Sequence, residues 1–365
     1  MKIVVTGTRG IPDIPGGVET HCEELFPRIA AMGHDVTVIR RTPYIAKSKD
    51  LKEYKGVKLV DVFAPRKKSI EAIVHTFLAV IKARQLNADI VHIHAVGPSL
   101  MVPLARLLGM KVVSTNHGPD YERQKWGRLA KSVIKLGESL GTRFSNRVIV
   151  ISTTIADILR RNYGRTDTTL IFNGVNIPKK SQSRDWLERW GIADRPYILA
   201  IGRFVKEKGF HDLIDAYLAS GLHGKYALVI AGDTDHEDDY SLSLKQKARE
   251  AGVVLTGYIK GESLNQLMTN ASLFVIPSYH EGLPIALLEA MSYNLDVIAS
   301  DIPANRLKQL ADDDFFATGN TAGLAAALRR KLAKPAAPRL YDLSAFNWDN
   351  IARQTLAVYE SLSKH

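Results

Sequence analysis

At 365 residues, 45% of them hydrophobic and 24% charged, the chain is too long for one ordinary core and suits two domains. A lone cysteine, Cys22, excludes an intrachain disulfide, no apolar run approaches the roughly 18–20 residues that span a bilayer, and the chain enters a core strand directly after Met1, so a reducing cytoplasmic location is expected. The net charge of +11 is uneven, with 29 Lys and Arg against 15 Asp and Glu in residues 1–180 and 20 against 23 in the remainder, which points the first half at an anionic partner: nucleic acid, an anionic membrane surface or a phosphorylated lipid.

Taken in chain order, IVVTG, DVTVI, VKLVDVF, DIVHIH, KVVSTNH and RVIVIS read as short buried strands. Between them lie GVETHCEELFPRIAAMG and SLMVPLARLLGM, with apolar residues at helical spacing and a glycine stop. On the first of these Cys22 is expected to serve packing alone. The stretch FNGVNIPKKSQSRDW then breaks the periodicity with Asn-Gly, a proline and polar basic residues. The rhythm resumes with YILAIGR, YALVIAG, VVLTGYI, LFVIPS and LDVIASD. Strands alternating with helices predict parallel sheets covered on both faces, hence an α/β chain of two doubly wound domains. The expected bounds are 1–180 and 181–345, with a C-terminal helix over 346–365 packing back on the first domain. Ligands in such folds bind beyond the carboxyl ends of the strands, so the chemistry belongs on strand-end loops, and two sheets facing each other would make a cleft.

The first such loop, TGTRGIPDIPGG, lacks the compact G-x-G-x-x-G spacing of a dinucleotide fingerprint. Strand DVTVIRR closes on Arg40 and Arg41, where an NAD site wants an acid for the ribose, although arginines suit a 2′-phosphate. Gly16 and Gly17 stand immediately before a helix and leave backbone N–H groups open to an anion, or simply make a tight strand-to-helix turn. AIGRFVKEKG places Arg203 and Lys208 after an apolar strand, a forked donor and a mobile point charge suited to a diphosphate. A solvated basic loop is the alternative reading of that segment alone. In LFVIPSYHEGLPIALLEAMSYNLDV, Glu281 and Gly282 precede a helix starting near Pro284, and Glu289 follows eight positions after Glu281. Two carboxylates at that spacing suit two hydroxyl-bearing rings of one extended ligand, with N–H groups around Leu283, Pro284 and Ile285 through Leu287 placed for phosphates between them.

These segments resemble the GT-B-fold glycosyltransferases of the large retaining family four. EGLPIALLE, GRFVKEKG and the N-terminal GG loop fall in that family's order and spacing, with coverage essentially end to end. TRGIPDIPGGVETHCEEL and NHGPDYERQKWGRLAK further resemble a rhamnosyl- or mannosyl-type subgroup of bacterial polysaccharide assembly. The resemblance implies two Rossmann-like domains, retention at the anomeric carbon and no required metal or cofactor. It implies that Arg203 and Lys208 hold the donor diphosphate, that Glu281 contacts the transferred sugar and that Glu289 contacts the ribose. Gly16 and Gly17 would approach the donor phosphates, His117 would face the donor sugar, and Gly257 and Tyr258 would lie beside the base. The implied partners are a UDP-, GDP- or dTDP-sugar donor and a glycan or polyprenyl-diphosphate-linked acceptor. Nucleic acid is not among them. One departure is Asn294, where the family usually ends its E-x7-E helix on glycine; Asn tolerates the left-handed conformation at some cost, so the cap should survive.

Asp120, Glu122 and Arg123 crowd the loop beyond His117 and are candidate acceptor contacts. His92 and His94 alternate along a strand and share a face, but no further ligand stands at suitable spacing, so no metal site is expected. The run YERQKWGRLAKSVIKLGESL carries Lys125, Arg128, Lys131 and Lys135 among Trp126, Leu129, Ile134 and Leu136, a basic amphipathic pattern of helices that lie on anionic membranes, and Arg66, Lys67 and Lys68 add a second basic stretch. Core-facing helices with ordinary solvated charges would read the same way. Three other functions compete with transfer. A GT-B nucleotide-sugar epimerase would isomerise sugars without acceptor; a nicotinamide oxidoreductase lacks its acidic ribose ligand here; a non-catalytic nucleotide-binding module would not need both Glu281 and Glu289.

Overall fold

The computed structural model describes residues 1–45, 50–66, 70–119, 121, 127–234, 237–334 and 337–363, the side chain of Ser363 excepted. It divides into two compact units, Met1–Gly174 with Ala345–His365, and Val175–Ser344. The division falls a little ahead of the expected residue 180. Gly174 explains the difference: a Cβ there would lie 2.4 Å from the Trp348 ring, so the FNG segment is packed into the first unit.

The first unit is built on β1 (Lys2–Thr6), β2 (Asp35–Arg41), β3 (Glu53–Tyr54), β4 (Val57–Val62), β5 (Ile90–His94), β6 (Lys111–Asn116), β7 (Arg147–Val150) and β8 (Thr168–Leu170). Their order in the sheet is β3-β4-β2-β1-β5-β6-β7-β8, parallel throughout except for the antiparallel β3–β4 pair. The chain winds one way from β1 to β2 and β4, then crosses back to β5, so the order reverses between β1 and β5. In a doubly wound sheet that crevice is where ligands sit.

Period-2 alternation sorts the side chains of this sheet. Ile3 and Val5 join Cys22, Leu25, Phe26 and Ile29 of helix Gly17–Ala31 on one face, while Val4, Val91 and Ile93 join Ala79, Val80 and Val102 on the other. Full burial of each such aliphatic or aromatic side chain stabilises the fold by roughly 1.5–3 kcal/mol. The C-terminal helix Trp348–Ser363 lies on the first of these faces, contributing Trp348, Ile351, Val358, Tyr359 and Leu362 to its core.

The second unit carries β9 (Tyr197–Ile201), β10 (Ala227–Ala231), β11 (Val254–Leu255), β12 (Leu273–Ile276), β13 (Val297–Ser300) and β14 (Phe315–Phe316). They pair in parallel in the order β11-β10-β9-β12-β13-β14, so the reversal here falls between β9 and β12. Ile198, Ala200, Leu228, Ile230, Val275 and Ile298 alternate into one core face under Phe210, Leu213, Tyr217, Leu324 and Leu328. Strands β3, β8 and β14 were not among those expected. Each is two or three residues long at or near a sheet edge, too short to show a period.

Candidate active site

In the second unit the loops after β9 and β12 leave the sheet on either side of the order reversal, and they carry the expected cations and acids. The β9 loop turns through Lys206–Lys208 and closes on Gly209 with φ 66°. A Cβ at Gly209 would stand 2.2 Å from the Pro277 carbonyl oxygen, so only glycine lets this loop lie against the end of β12. The Tyr279 N–H donates to the Glu207 carbonyl at 2.8 Å and fixes the two loops together. Lys208 Nζ then donates to Glu281 Oε1 at 2.5 Å, and Ser278 Oγ donates to the same oxygen at 2.6 Å. Burial alone would raise the Glu281 carboxyl; the charge of Lys208 and the hydrogen bonds from Lys208 and Ser278 outweigh it and hold the group below its usual value. Arg203 is half-buried on the same loop.

Beyond Glu281 and Gly282, buried Leu283 and Pro284 lead into helix Ile285–Ser292. Pro284 is the residue before the helix and has no N–H to offer. The Leu287 N–H is also spent, donating to the Pro284 carbonyl at 3.1 Å. The anion-facing amides expected over Leu283–Leu287 therefore reduce, in the helix's first turn, to those of Ile285 and Ala286. Glu289 lies half-buried one turn further on. The helix ends as anticipated despite lacking glycine: Asn294 adopts φ 62°, Leu295 N–H donates to the Ala290 carbonyl and Asn294 N–H to the Met291 carbonyl, the paired bonds of a Schellman cap. At the β10 and β11 ends, Gly257 has φ 70° and its carbonyl accepts from Gly232 N–H at 2.9 Å. A cleft of about 360 Å³ opens there, lined by Phe204, Gly232, Asp233, Arg249, Leu255 and Gly257, and Tyr258 beside it is half exposed.

In the first unit the loop after β1 and the end of β5 meet at the other order reversal. Gly7 (φ 93°) runs so close to β5 that a Cβ would lie 2.1 Å from the His94 carbonyl oxygen. Gly16 precedes helix Gly17–Ala31 with φ 147°, ψ 150°, and the N–H groups of the first turn, starting at Gly17, have no intrahelical partner. Part of the loop is already occupied by an internal carboxylate: Glu19 Oε1 accepts from the Arg9 N–H at 3.0 Å and from Thr8 Oγ1 at 3.2 Å. Arg40 and Arg41, left open as partners for a 2′-phosphate, are committed within the fold. Arg40 Nε donates to Asp61 Oδ1 at 2.7 Å and Arg41 Nη1 to Glu71 Oε1 at 2.8 Å, while Arg41 Nη2 donates to the Gly7 carbonyl.

His117, directly after β6, faces His94: His94 Nδ1 and His117 Nε2 are 2.9 Å apart. Spacing along the chain offered His94 no ligating companions, yet folding gives it two, His117 and His21 of helix Gly17–Ala31. His92 is engaged by Thr115 Oγ1 at 2.7 Å and by the Tyr359 hydroxyl of the C-terminal helix at 2.6 Å. Burial, helped by the neighbouring imidazoles, lowers the pKa of His21, His92 and His117 to about 3 and holds that of His94 well below its ordinary value. All four rings are neutral at pH 7. His94 Nε2 is buried without a partner, and an orphaned acceptor costs less than an orphaned N–H. His94 therefore donates from Nδ1, and His117, accepting at Nε2, carries its proton on Nδ1. Asp120, Glu122, Arg123, Lys125, Trp126, Lys67 and Lys68 lie outside the described residues. Sequence reasoning missed His21, its partner Asn173 and the Glu19 carboxylate; a lone histidine on an apolar helix carries no local signal of what it meets.

Two α/β units built on largely parallel sheets of this strand order make the GT-B fold of glycosyltransferases. Residues 15–179 match the family model described as Glycosyltransferase Family 4, and residues 182–344 that described as Glycosyl transferases group 1; the chain is a glycosyltransferase with one domain from each. An uncharacterized glycosyltransferase of Methanocaldococcus jannaschii is 26% identical, covering 99% of this chain and 98% of its own. The solved sucrose-phosphate synthase of Thermosynechococcus elongatus superposes with a TM-score of 0.83 at 21% identity, over 99% of this chain and 98% of that one. Anabaena HepE, solved in complex with UDP-glucose, gives a TM-score of 0.75 at 20% identity with full coverage of both chains.

Proposed function

We propose that this glycosyltransferase moves a sugar from a nucleoside-diphosphate donor to a hydroxyl of a glycan or lipid-linked glycan in bacterial surface polysaccharide synthesis, with retention and without a required metal. The observation that carries the reading is the Lys208–Glu281 pair at the β9–β12 order reversal, on the same loops as Arg203 and the amides that open helix Ile285–Ser292. The ammonium and the carboxylate hold each other. A donor would separate them, its diphosphate taking Lys208, Arg203 and the amides that open helix Ile285–Ser292, its sugar hydroxyls taking Glu281 and its ribose Glu289. The donor base belongs over Gly257 and Tyr258, the Gly16–Gly17 turn offers amides to the phosphates, His117 offers its outer Nδ1–H to a substrate hydroxyl, and Asp120 belongs to the acceptor contact. A neighbour of this fold solved with UDP-glucose supports a nucleotide-sugar donor.

In the proposed step the anomeric C–O bond to the diphosphate breaks as the acceptor oxygen bonds to the same face of that carbon. The acceptor proton passes to the departing phosphate oxygen. Lys208, Arg203 and the amides stabilise the charge that develops there. A panel of UDP-, GDP- and dTDP-sugars with a lipid-linked acceptor tests the reading: one donor should release its diphosphate and give a product of unchanged anomeric configuration. Inversion, or a trapped glycosyl-enzyme adduct, would contradict the mechanism.

We place the chain in the cytoplasm, in contact with an anionic membrane. Supporting this, helix Arg128–Phe144 exposes Leu129 (81%) and Leu136 (50%) beside exposed Arg128 and Lys135, although Ile134, expected on that face, is buried in the unit. No helix among the described residues is long and apolar enough to cross a membrane. Flotation with vesicles containing anionic lipid should carry the protein, and equal partition onto neutral vesicles would remove this part of the proposal.

A further inference from the structure

We propose that His21, His94 and His117 form a binding site for one borderline transition-metal cation, of which Zn²⁺ is the type. The site is assembled from three elements, helix Gly17–Ala31, the last residue of β5 and the residue after β6, and one ring nitrogen from each histidine lies within 4.8 Å of the other two. The ring centroids form a nearly equilateral triangle with sides of 5.1, 5.2 and 5.5 Å. With Zn–N bonds of about 2.0–2.1 Å and a ring radius of roughly 1.1 Å, three imidazoles on one tetrahedral ion have centroids about 5 Å apart. The triangle is already of that size.

Two further features favour ligation over mere packing. His21 Nδ1 lies 3.0 Å from Asn173 Oδ1, so the amide oxygen keeps the proton on Nδ1 and leaves Nε2 as a bare lone pair, the arrangement that orients metal-bound histidines. His94 is fully buried and one of its nitrogens, Nε2, has no partner among the described residues. The rings are wrapped by Phe26 and Trp348, whose centroids lie 5.6 Å from His94 and 5.5 Å from His21 respectively. An all-imidazole donor set selects Zn²⁺, Co²⁺, Ni²⁺ or Cu²⁺ over Mg²⁺ or Ca²⁺. Three neutral histidines with a water or hydroxide as fourth ligand are a complete zinc shell. Each ring keeps its one proton on the nitrogen turned away from the ion, so the hydrogen bond between His94 and His117 is exchanged for two metal bonds. The cation is then no cofactor for transfer: held at the inner Nε2 of His117, it leaves the outer Nδ1–H in place.

Calorimetric titration of the chelator-treated full chain with ZnCl₂ tests the site, with Co²⁺ absorption reporting geometry. One equivalent should bind, Co²⁺ should give intense tetrahedral bands, and MgCl₂ should give no heat. His21→Ala should weaken Zn²⁺ at least 100-fold and Asn173→Ala about 10-fold, with His223→Ala on the surface as an unchanged control. Melting curves of each variant show whether it is folded. If His21→Ala is not, His21→Gln, which keeps the volume, takes its place with the same expectation. Absence of a saturable single equivalent, or undiminished binding in the folded His21 variant, overturns the proposal. Neither result bears on donor binding by the second unit.

Discussion

Replacing Lys208 by Met removes the cation from a carboxylate that is only 12% exposed. At 2.5 Å and an effective dielectric near 20, the gross attraction is about 7 kcal/mol, most of it offset by desolvating both groups. Truncating one partner of a buried pair costs about 3–5 kcal/mol; because the Lys208 side chain keeps 23% of its exposure, the lower end, about 3 kcal/mol, is expected. Ser278 Oγ alone cannot replace the charge. Glu281→Gln leaves a lysine that can turn to water and should cost only about 1 kcal/mol. The double variant carries no stranded charge and should lie about 1–1.5 kcal/mol below the parent, a coupling of roughly 2.5–3 kcal/mol. For a unit of this size each kcal/mol moves the melting temperature by about 2–4 °C, so Lys208→Met should lower it by roughly 6–12 °C and the added Glu281→Gln should restore most of that. The four proteins compared by calorimetry give the cycle directly. Additive losses, or Lys208→Met within about 0.5 kcal/mol of the parent, would show that the pair is not formed in solution.

The same pair has a pH signature. Its carboxyl is held below the ordinary value of 4.5, so its contribution is complete above that value and is lost as pH falls below it; the stability gap between parent and Lys208→Met should therefore be full at pH 7 and narrow as pH falls below 4.5 in parallel melts, and a gap independent of pH would contradict the assignment. Asn294→Gly should stabilise by about 0.5–1 kcal/mol and Asn294→Ala destabilise by about 1 kcal/mol in urea titrations, since φ 62° favours residues without a Cβ or with a short polar side chain. Tyr359→Phe strands His92 Nδ1 in the core and should cost about 1–2 kcal/mol, read as an earlier melt; no change would mean that the 2.6 Å contact is not made. His117→Ala should leave nucleotide affinity within a few-fold of the parent while cutting transfer by about 10²-fold or more, measured by diphosphate release at saturating donor.

What could be read along the chain was whatever a single element encodes by itself. Runs such as YILAI and ALVIA declare buried parallel strands because β-branched and aliphatic residues fill both faces, and Gly7 and Gly209 stand in loops after β1 and β9 where no Cβ would fit. The pairing of Lys208 with Glu281 was legible only as an order of motifs; that they touch depends on β9 and β12 being neighbours in the sheet. What stayed hidden is set by contacts distant in sequence. Arg40 looked like a phosphate ligand until Asp61 was brought beside it by the β2–β4 pairing. His21, His94 and His117 are unremarkable singly, and their triangle exists only because helix Gly17–Ala31, the end of β5 and the end of β6 meet. Leu287 was offered as an anion-binding amide because the helix start was placed by pattern, and Pro284 takes that N–H for the first turn instead.

The most direct measurement is the affinity of the full chain for UDP, GDP and dTDP beside their parent nucleosides, by isothermal titration, in the parent and in Lys208→Ala. One diphosphate should bind at a single site, its nucleoside at least 100-fold more weakly, and the Lys208 variant at least 10-fold more weakly than the parent. Equal affinity for nucleoside and diphosphate, or a Lys208 variant that binds like the parent, would contradict a diphosphate seat on the β9 and β12 loops.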